Sequence, residues 1–182
     1  MSIFRPEFEA ALLVFARVSE AVAARGFAKP ILVGGAAAEL YSRSTIATGD
    51  FDVVTGRQDV FEDALRDHGF TRVAGPGHLP MGWIHPDLKL GFEVVGSSLL
   101  DGNAEGDRVL LIDASAEDQF AVIAIEDLIA DRMGQYASGT AADMLEQART
   151  LFSLYQDADV RYLERRIREE TSGDYGLADV QR

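Results

Sequence analysis

Cysteine is absent from this sequence of 182 residues, and lysine occurs only at positions 29 and 89. Without cysteine the chain has no disulfide, no thiolate nucleophile and no cysteine-based zinc site. No run of about eighteen apolar residues is present, and the first residues lack the charged and apolar regions of a signal peptide. We therefore expect a cytoplasmic protein without a membrane contact, which the lack of cysteine also fits.

Several signatures of catalysis are also missing. There is no Gly-x-Ser-x-Gly turn, no phosphate-binding loop that ends in Gly-Lys-Ser/Thr and no Gly-x-Gly-x-x-Gly fingerprint. These absences argue against serine hydrolases, P-loop nucleotide hydrolases and Rossmann dehydrogenases. The three histidines have no metal-ligand spacing, so a histidine-based zinc site is not expected either.

The charge of the chain is strongly negative. Asp and Glu total 30 against 17 Lys and Arg, which gives a formal net charge of −13. Proteins that bind nucleic acid without sequence preference rely on several Lys and Arg contacts to phosphates. An acidic surface therefore favours a small nucleotide carried by a cation, or a protein partner, over bare DNA. The length and the apolar content of 47% predict one domain, with or without a helical extension.

Hydrophobic periodicity divides the chain into an α/β part, residues 1–123, and a helical part, residues 124–172. The polar segment 173–182 is typical of a flexible tail. In the α/β part we expect helices over 7–25, 36–41 and 58–68, and strands over 31–33, 51–55, 70–73, 81–85, 89–95 and 108–112. Turn residues separate the later strands, among them Gly75-Pro76-Gly77.

The most informative stretch joins an apolar strand at residues 31–33, a Gly34-Gly35 turn, a short helix and a second strand that carries Asp50 and Asp52. Residues two apart in a strand project from the same face, about 7 Å apart. If the two carboxylates approach to about 4 Å, they repel by roughly a few kcal/mol at an effective dielectric near 20, and a divalent cation removes this penalty. Mg²⁺ suits the pair because it takes one or two carboxylates together with substrate phosphates.

The glycine turn lies where a phosphate group can meet free amide groups at the start of a helix. The alternative is that Gly34 and Gly35 only permit a tight turn and close packing of the helix on the strand. Arg43 and Thr48 follow in the next loop. Arg43 is a candidate donor to phosphate oxygens, and Thr48 is a candidate to bond Asp50 or to order the loop. These four residues form the candidate nucleotide site, and a solvated surface loop is the alternative for the last two.

A third acid helps nucleotidyl transfer, because it completes a second metal position or takes the proton of the attacking hydroxyl group. Glu93, in the apolar strand 90–95, is the candidate. Asp50, Asp52 and Glu93 are therefore our candidate catalytic and metal-binding residues, for one or two Mg²⁺ ions. The alternative for Glu93 is an exposed position on an edge strand.

These residues resemble the nucleotidyltransferase-fold superfamily in its minimal form, where a Gly-Gly or Gly-Ser turn opens a helix, two acids follow on the next strand and a third acid lies on a later strand. The run 41–54 is similar to bacterial nucleotidyltransferase-like proteins, including the toxin side of abortive-infection toxin–antitoxin systems. Segments 125–133 and 145–148 are similar to their helical part. The resemblance implies an α/β (α+β) fold, with a mixed sheet flanked by helices and a C-terminal helical bundle packed on it.

The resemblance implies a metal-dependent enzyme that moves NMP from an NTP to a hydroxyl acceptor, either protein, RNA or a small molecule. Two features depart from the pattern: Ala36 and Ala37 stand where active members carry a serine, and Glu93 replaces the commoner aspartate. A second hypothesis is therefore a catalytically inactive relative that binds nucleotides or a cognate protein in a toxin–antitoxin pair. A third is a soluble α/β protein whose acids are simply exposed.

Two further interpretations concern charge and assembly. Under the enzyme hypothesis, Arg43 and also Arg132 of the helical part add positive charge near the phosphates. Trp83 and Phe92 are candidates for an exposed apolar surface through which two copies of the chain form a homodimer.

Overall fold

A mixed sheet of seven strands is the frame of the computed structural model, which describes residues 3–72, 82–155 and 157–181. Within these residues the strands are β1 (Ile31–Val33), β2 (Asp50–Val54), β3 (Thr71–Arg72), β4 (Trp83–Ile84), β5 (Gly91–Gly96), β6 (Leu110–Asp113) and β7 (Gln119–Val122). Their order across the sheet is β3-β4-β5-β2-β1-β7-β6. The pairs β2/β5 and β1/β7 are parallel and the others antiparallel. The predicted turn at Gly75-Pro76-Gly77 lies outside the described residues.

Seven α-helices accompany the sheet within the described residues. They are α1 (Pro6–Ala24), α2 (Gly34–Ser42), α3 (Gln58–Asp67), α4 (Ile125–Ala137), α5 (Met144–Leu154), α6 (Val160–Glu170) and α7 (Leu177–Val180). The predicted α/β fold, with a mixed sheet, flanking helices and a helical C-terminal part, is confirmed. Strand β7 and helix α7 were not predicted. Among these helices, none combines the length and the apolar character that crossing a bilayer requires.

Helix α1 packs on one face of the sheet and thereby decides which side chains the other face displays. Pro6 begins the helix, where a missing N–H costs no hydrogen bond. Phe15 packs against Phe51 of β2 and Phe92 of β5, with ring centroids 6.1 and 6.0 Å away. Because strand side chains alternate between the two faces, the residues on either side of Phe51 and Phe92 project from the face opposite α1.

Two apolar residues that we expected on a subunit surface are buried inside the molecule. Trp83 is 4% exposed and Phe92 is 1% exposed. Phe92 faces the aromatic cluster under α1, and the guanidinium groups of Arg66 and Arg72 lie over the Trp83 ring. The prediction of a homodimer surface at these residues is therefore wrong. Strand β5 lies between β4 and β2, so the alternative that Glu93 occupies an edge strand is wrong as well.

Helix α4 packs against both α5 and α6, and α4 and α5 pack on α2. A buried ion pair joins α6 to α4: the Arg166 Nε donates to Asp127 at 2.8 Å, and both side chains are 1% exposed. The hydroxyl group of Tyr162 donates to the same carboxylate. The hydroxyl group of Tyr155 donates to the backbone oxygen of Tyr41 in α2 at 3.0 Å. This last bond attaches the helical part to the α/β part.

The segment after residue 172 differs from the predicted flexible tail. Its described part, 173–181, contains α7, which packs on α5 and α6. Val180 is 2% exposed, and the Arg149 Nε donates to the backbone oxygen of Asp179 at 3.0 Å. The polar composition of the segment predicted a solvated end, but one buried valine and its neighbouring hydrogen bonds are enough to attach it.

Candidate metal and nucleotide site

Asp50 and Asp52 of β2 and Glu93 of β5 lie together on the sheet face opposite α1. One carboxylate oxygen from each of the three lies within 4.8 Å of the other two. In the parallel register of β2 and β5, Asp52 pairs with Glu93 and Asp50 with Gly91. This register sets Asp52 beside Glu93, and the two-residue period of a strand brings Asp50 to the same face. The structure thus brings together the three acids that the sequence singled out.

The electrostatics of this cluster are those of a site short of positive charge. Burial raises the pKa of Asp52 above its ordinary value, and the charges of Asp50 and Glu93 raise it further, against a hydrogen bond from the Gly35 backbone and the charge of Arg132. In the described parts of the chain, no ion pair involves any of the three acids. Such a group of oxygen donors suits a hard divalent cation.

The glycine turn is in direct contact with the acids. Gly34 has a left-handed φ of 59°, and a Cβ atom there would overlap the Asp52 carboxylate. A Cβ atom on Gly35 would overlap the Thr48 hydroxyl group. The backbone N–H of Gly35 donates to Asp52. Both glycines are therefore required by close packing, and the Gly35 amide already has an acceptor.

Thr48 lies beside the site, whereas Arg43 does not. The Thr48 hydroxyl group donates to the backbone oxygen of Asp50 at 3.0 Å, which is a bond that we predicted as one of its two roles. Arg43 is exposed and follows the last residue of α2, a helix that begins at Gly34. At 1.5 Å per residue this puts the two ends of the helix about 13 Å apart. The charge of Arg43 acts on Tyr155 of the helical part.

Arg132 of α4 is a buried cation whose charge acts on Asp52 of the acidic cluster. It is 4% exposed, and its charge lowers the pKa of Asp52 against the larger effect of burial. Its Nη1 donates to the neighbouring Asp131 at 3.4 Å, while its Nε is buried without a hydrogen-bond partner among the described residues. Arg132 is thus a buried positive charge near Asp52, and the described residues offer its Nε no acceptor.

A cavity of about 330 Å³ opens next to the cluster. It begins at Gly34 and Asp52 and extends between the sheet and α4, where Asp131 and Gln135 line it, and Asp101 lies on its far wall. Sequence reasoning missed this wall. Asp131 and Gln135 are four residues apart and so share a helix face, which was a usable signal. Nothing in the local pattern indicated that Asp101 would face the same space.

No protein-family model matches the sequence, and no curated protein sequence is a significant match. Solved structures match the fold. The crystal structure of ANT(2")-Ia in complex with adenylyl-2"-tobramycin has a TM-score of 0.59 and 15% sequence identity, over 90% of this chain and 98% of that chain. The solution structure of the same antibiotic-resistance factor has a TM-score of 0.57 and 15% identity, over 90% of this chain and 92% of that chain.

An antigenic nucleotidyltransferase-like protein from Paracoccidioides brasiliensis is similar as well, with a TM-score of 0.59 and 15% identity, over 96% of this chain and 91% of that chain. Because these matches cover at least 90% of this chain, they include both the sheet and the C-terminal helices. At 15% sequence identity, these matches are evidence of a shared fold alone. By this likeness, and as its motifs predicted, the chain has the fold of the nucleotidyltransferase superfamily.

Proposed function

We propose that this chain transfers the nucleotidyl group of an NTP to a hydroxyl acceptor, with a divalent metal ion bound by Asp50, Asp52 and Glu93. The observation that carries the proposal is the convergence of these carboxylates within 4.8 Å, beside the glycine turn that begins α2. The fold supports nucleotidyl transfer as the general chemistry.

The donor set fits Mg²⁺. All three ligands are carboxylates, Asp50 is exposed, and Glu93 is half-buried, so water and phosphate oxygens can complete the coordination that Mg²⁺ prefers. When bound, the ion neutralises phosphate charge and polarises the reacting phosphoryl group. Three carboxylates also suffice for a second ion, as two-metal phosphoryl-transfer sites require.

The triphosphate is proposed to lie at the start of α2, where a helix N-terminus favours anions. Because the Gly35 amide already bonds Asp52, we assign the main protein cation for the phosphates to Arg132, whose Nε is unpaired within the described residues. The cavity of about 330 Å³ between the sheet and α4 would receive the nucleoside. Thr48 contacts both Gly35 and Asp50 and so keeps the turn and the acids in register.

In the proposed reaction the acceptor oxygen attacks the α-phosphorus of the NTP. A new P–O bond forms, the bond to the oxygen that bridges the α- and β-phosphates breaks, and pyrophosphate leaves. The hydroxyl proton passes to Glu93, the acid on the neighbouring strand. The products are pyrophosphate and an acceptor that carries the NMP group.

Calorimetric titration with ATP tests the binding half of the proposal. ATP comes first because ANT(2")-Ia was solved with an adenylylated compound. We expect ATP to bind only when Mg²⁺ is present, and Asp52→Ala to lose roughly tenfold or more of the affinity, since changes outside the ligand set already cost that much. Asp157→Ala, at the exposed first aspartate of the sequence Asp157-Ala158-Asp159, is the matched control. Unaltered affinity in Asp52→Ala contradicts the proposal.

A second candidate is a catalytically inactive relative that binds nucleotides, or a cognate protein in a toxin–antitoxin pair. Two observations favour it: Ala36 and Ala37 supply no hydroxyl group after the glycines, and the Gly35 amide is engaged with Asp52. Incubation with α-labelled ATP, Mg²⁺ and acceptors of three kinds, protein, RNA and small hydroxyl compounds, separates the two candidates. Label transfer with pyrophosphate release supports the enzyme, whereas binding of ATP without either supports the inactive relative.

A further inference from the structure

The loop 43–49 connects α2 to β2 and ends directly before Asp50, so its conformation affects where the aspartates of β2 lie. Arg43 and Ser44 have left-handed backbone angles, with φ of 53° and 63°, which residues other than glycine adopt rarely. A loop in this conformation needs contacts that hold it. They come from Glu39 of α2, a fully buried acid that has no part in the proposed reaction.

Glu39 accepts four hydrogen bonds, shared between its two oxygens. Its Oε1 accepts from the Nε of Arg5 and from the hydroxyl group of Ser44 at 2.9 Å. Its Oε2 accepts from the Nη2 of Arg5 at 2.8 Å and from the backbone N–H of Thr48 at 2.7 Å. Arg5 also donates to the backbone oxygen of Thr48. The ion pair therefore holds the loop near both of its ends.

Thr48 links the Glu39 ion pair to the metal-site residues. Its hydroxyl group packs against Gly35 and donates to the backbone oxygen of Asp50 at 3.0 Å. The Gly35 N–H in turn donates to Asp52. A chain of contacts thus runs from Glu39 through Thr48 to the glycine turn and to the first acid of β2.

The Glu39 side chain is ionised although it is buried. Burial would raise the pKa of Glu39, but the hydrogen bonds from Arg5, Thr48 and Ser44 outweigh it, so the pKa lies below its ordinary value. The carboxylate is therefore ionised at neutral pH and accepts all four bonds, as a carboxylate with two free oxygens can.

We propose that Glu39, held by Arg5, is a positioning residue that sets the glycine turn and the acids of β2 at the separation where a divalent ion binds. The inference rests on the proposed function, because it takes those acids as the metal site. Stability alone does not require such a pair, since the desolvation of two buried charges offsets their attraction and apolar pairs often replace them without loss. An apolar pair, however, offers no acceptor to the Thr48 N–H.

Replacing the pair by two methionines, Arg5→Met with Glu39→Met, tests the inference in the full-length chain. The readouts are the affinity for Mn²⁺, followed by electron paramagnetic resonance, and the thermal unfolding midpoint in EDTA. We expect Mn²⁺ binding to weaken by about tenfold or more, as loss of residues that orient metal ligands does. The matched control is Glu20→Met with Lys29→Met, an ion pair that lies before the start of β1 and outside the site. It should keep the Mn²⁺ affinity of the wild type.

Glu39→Gln is the second variant, for use if the double replacement does not fold. It keeps the side-chain shape but puts an amide NH₂ where an oxygen accepted, and we expect the same direction of change in Mn²⁺ affinity. Wild-type Mn²⁺ affinity in a folded Arg5→Met/Glu39→Met chain, or in Glu39→Gln, overturns this inference and leaves the proposed function standing. A wild-type chain that binds no Mn²⁺ overturns both.

Discussion

Replacing Asp52 by asparagine should stabilise the metal-free protein, because Asp52 is partly buried between two other acids. The carboxylate oxygens lie within 4.8 Å of one another. At that distance each pair of charges repels by about 3.5 kcal/mol at an effective dielectric of 20, and by about 0.9 kcal/mol in water. Since Asp50 is exposed, we expect a value between these limits, with Asp52→Asn gaining about 2 kcal/mol. For a chain of this length, that is roughly 4–8 °C in the unfolding midpoint.

The direction of the pH dependence follows from the raised pKa of Asp52. A carboxylate with a raised pKa in the folded state favours folding when protonated, and this contribution is lost as pH rises through the folded pKa. The advantage of Asp52→Asn should therefore be full only above the raised pKa, where Asp52 is ionised in both the folded and the unfolded chain. It should shrink as pH falls toward the ordinary range of aspartate, where Asp52 is protonated in both the folded and the unfolded chain.

Bound Mg²⁺ should make the wild type more stable to unfolding than Asp52→Asn, which reverses their order of stability in EDTA. At a Mg²⁺ concentration of about 100 times Kd, binding stabilises the wild type by about 2.7 kcal/mol, whereas Asp52→Asn has lost a ligand and gains little. The assay is urea unfolding of both proteins in EDTA and in Mg²⁺, with Asp157→Asn as the exposed control. A variant less stable than the wild type in EDTA, together with no effect of Mg²⁺ on either protein, would refute the reasoning.

Three other changes have defined outcomes. Gly34→Ala should lower the free energy of unfolding in urea by about 1–3 kcal/mol, because the φ of Gly34 is left-handed and a Cβ atom there would overlap Asp52. Gly139 is the control, because its φ is also left-handed but a Cβ atom there meets nothing. Gly139→Ala should therefore cost less stability and leave Mn²⁺ binding intact. Arg132→Met should weaken ATP binding in calorimetry by roughly tenfold, at the lower end of the range for a charged hydrogen bond, without weakening Mn²⁺ binding, because it removes a cation whose charge acts on Asp52. Glu39→Gln should lower the free energy of unfolding at pH values above the ordinary glutamate pKa. Because the Glu39 pKa is lowered in the folded chain, this difference should fade as pH falls through that pKa, so the wild type and Glu39→Gln should become equally stable in acid.

The acid cluster was predictable from the sequence because it depends on short-range rules. Asp50 and Asp52 share a face by the two-residue period of a strand, and Phe51 between them marks the buried face. Glu93 stands in the same relation to Phe92. That Glu93 reaches the aspartates depends on the parallel pairing of β2 and β5, which only the resemblance to known folds could predict.

Other features depend on partners far apart in the chain, and local patterns do not show them. Glu39 looked like an ordinary helix residue, but its partner Arg5 lies 34 positions away. Trp83 and Phe92 were expected at the surface, because a single strand's pattern does not show whether the strand is interior or at an edge. Asp101 and Asp131 both line the cavity. Asp101 lies in a short 3-10 helix and Asp131 in α4, and these two segments meet only in the folded protein.

Anomalous diffraction from crystals soaked in Mn²⁺ is the most direct test of the claim that Asp50, Asp52 and Glu93 form a metal site. We expect an anomalous peak among the three carboxylates, next to the glycine turn, and no such peak in crystals of Asp52→Ala. A map without a peak there, at Mn²⁺ concentrations that saturate other carboxylate sites of the crystal, would contradict the account.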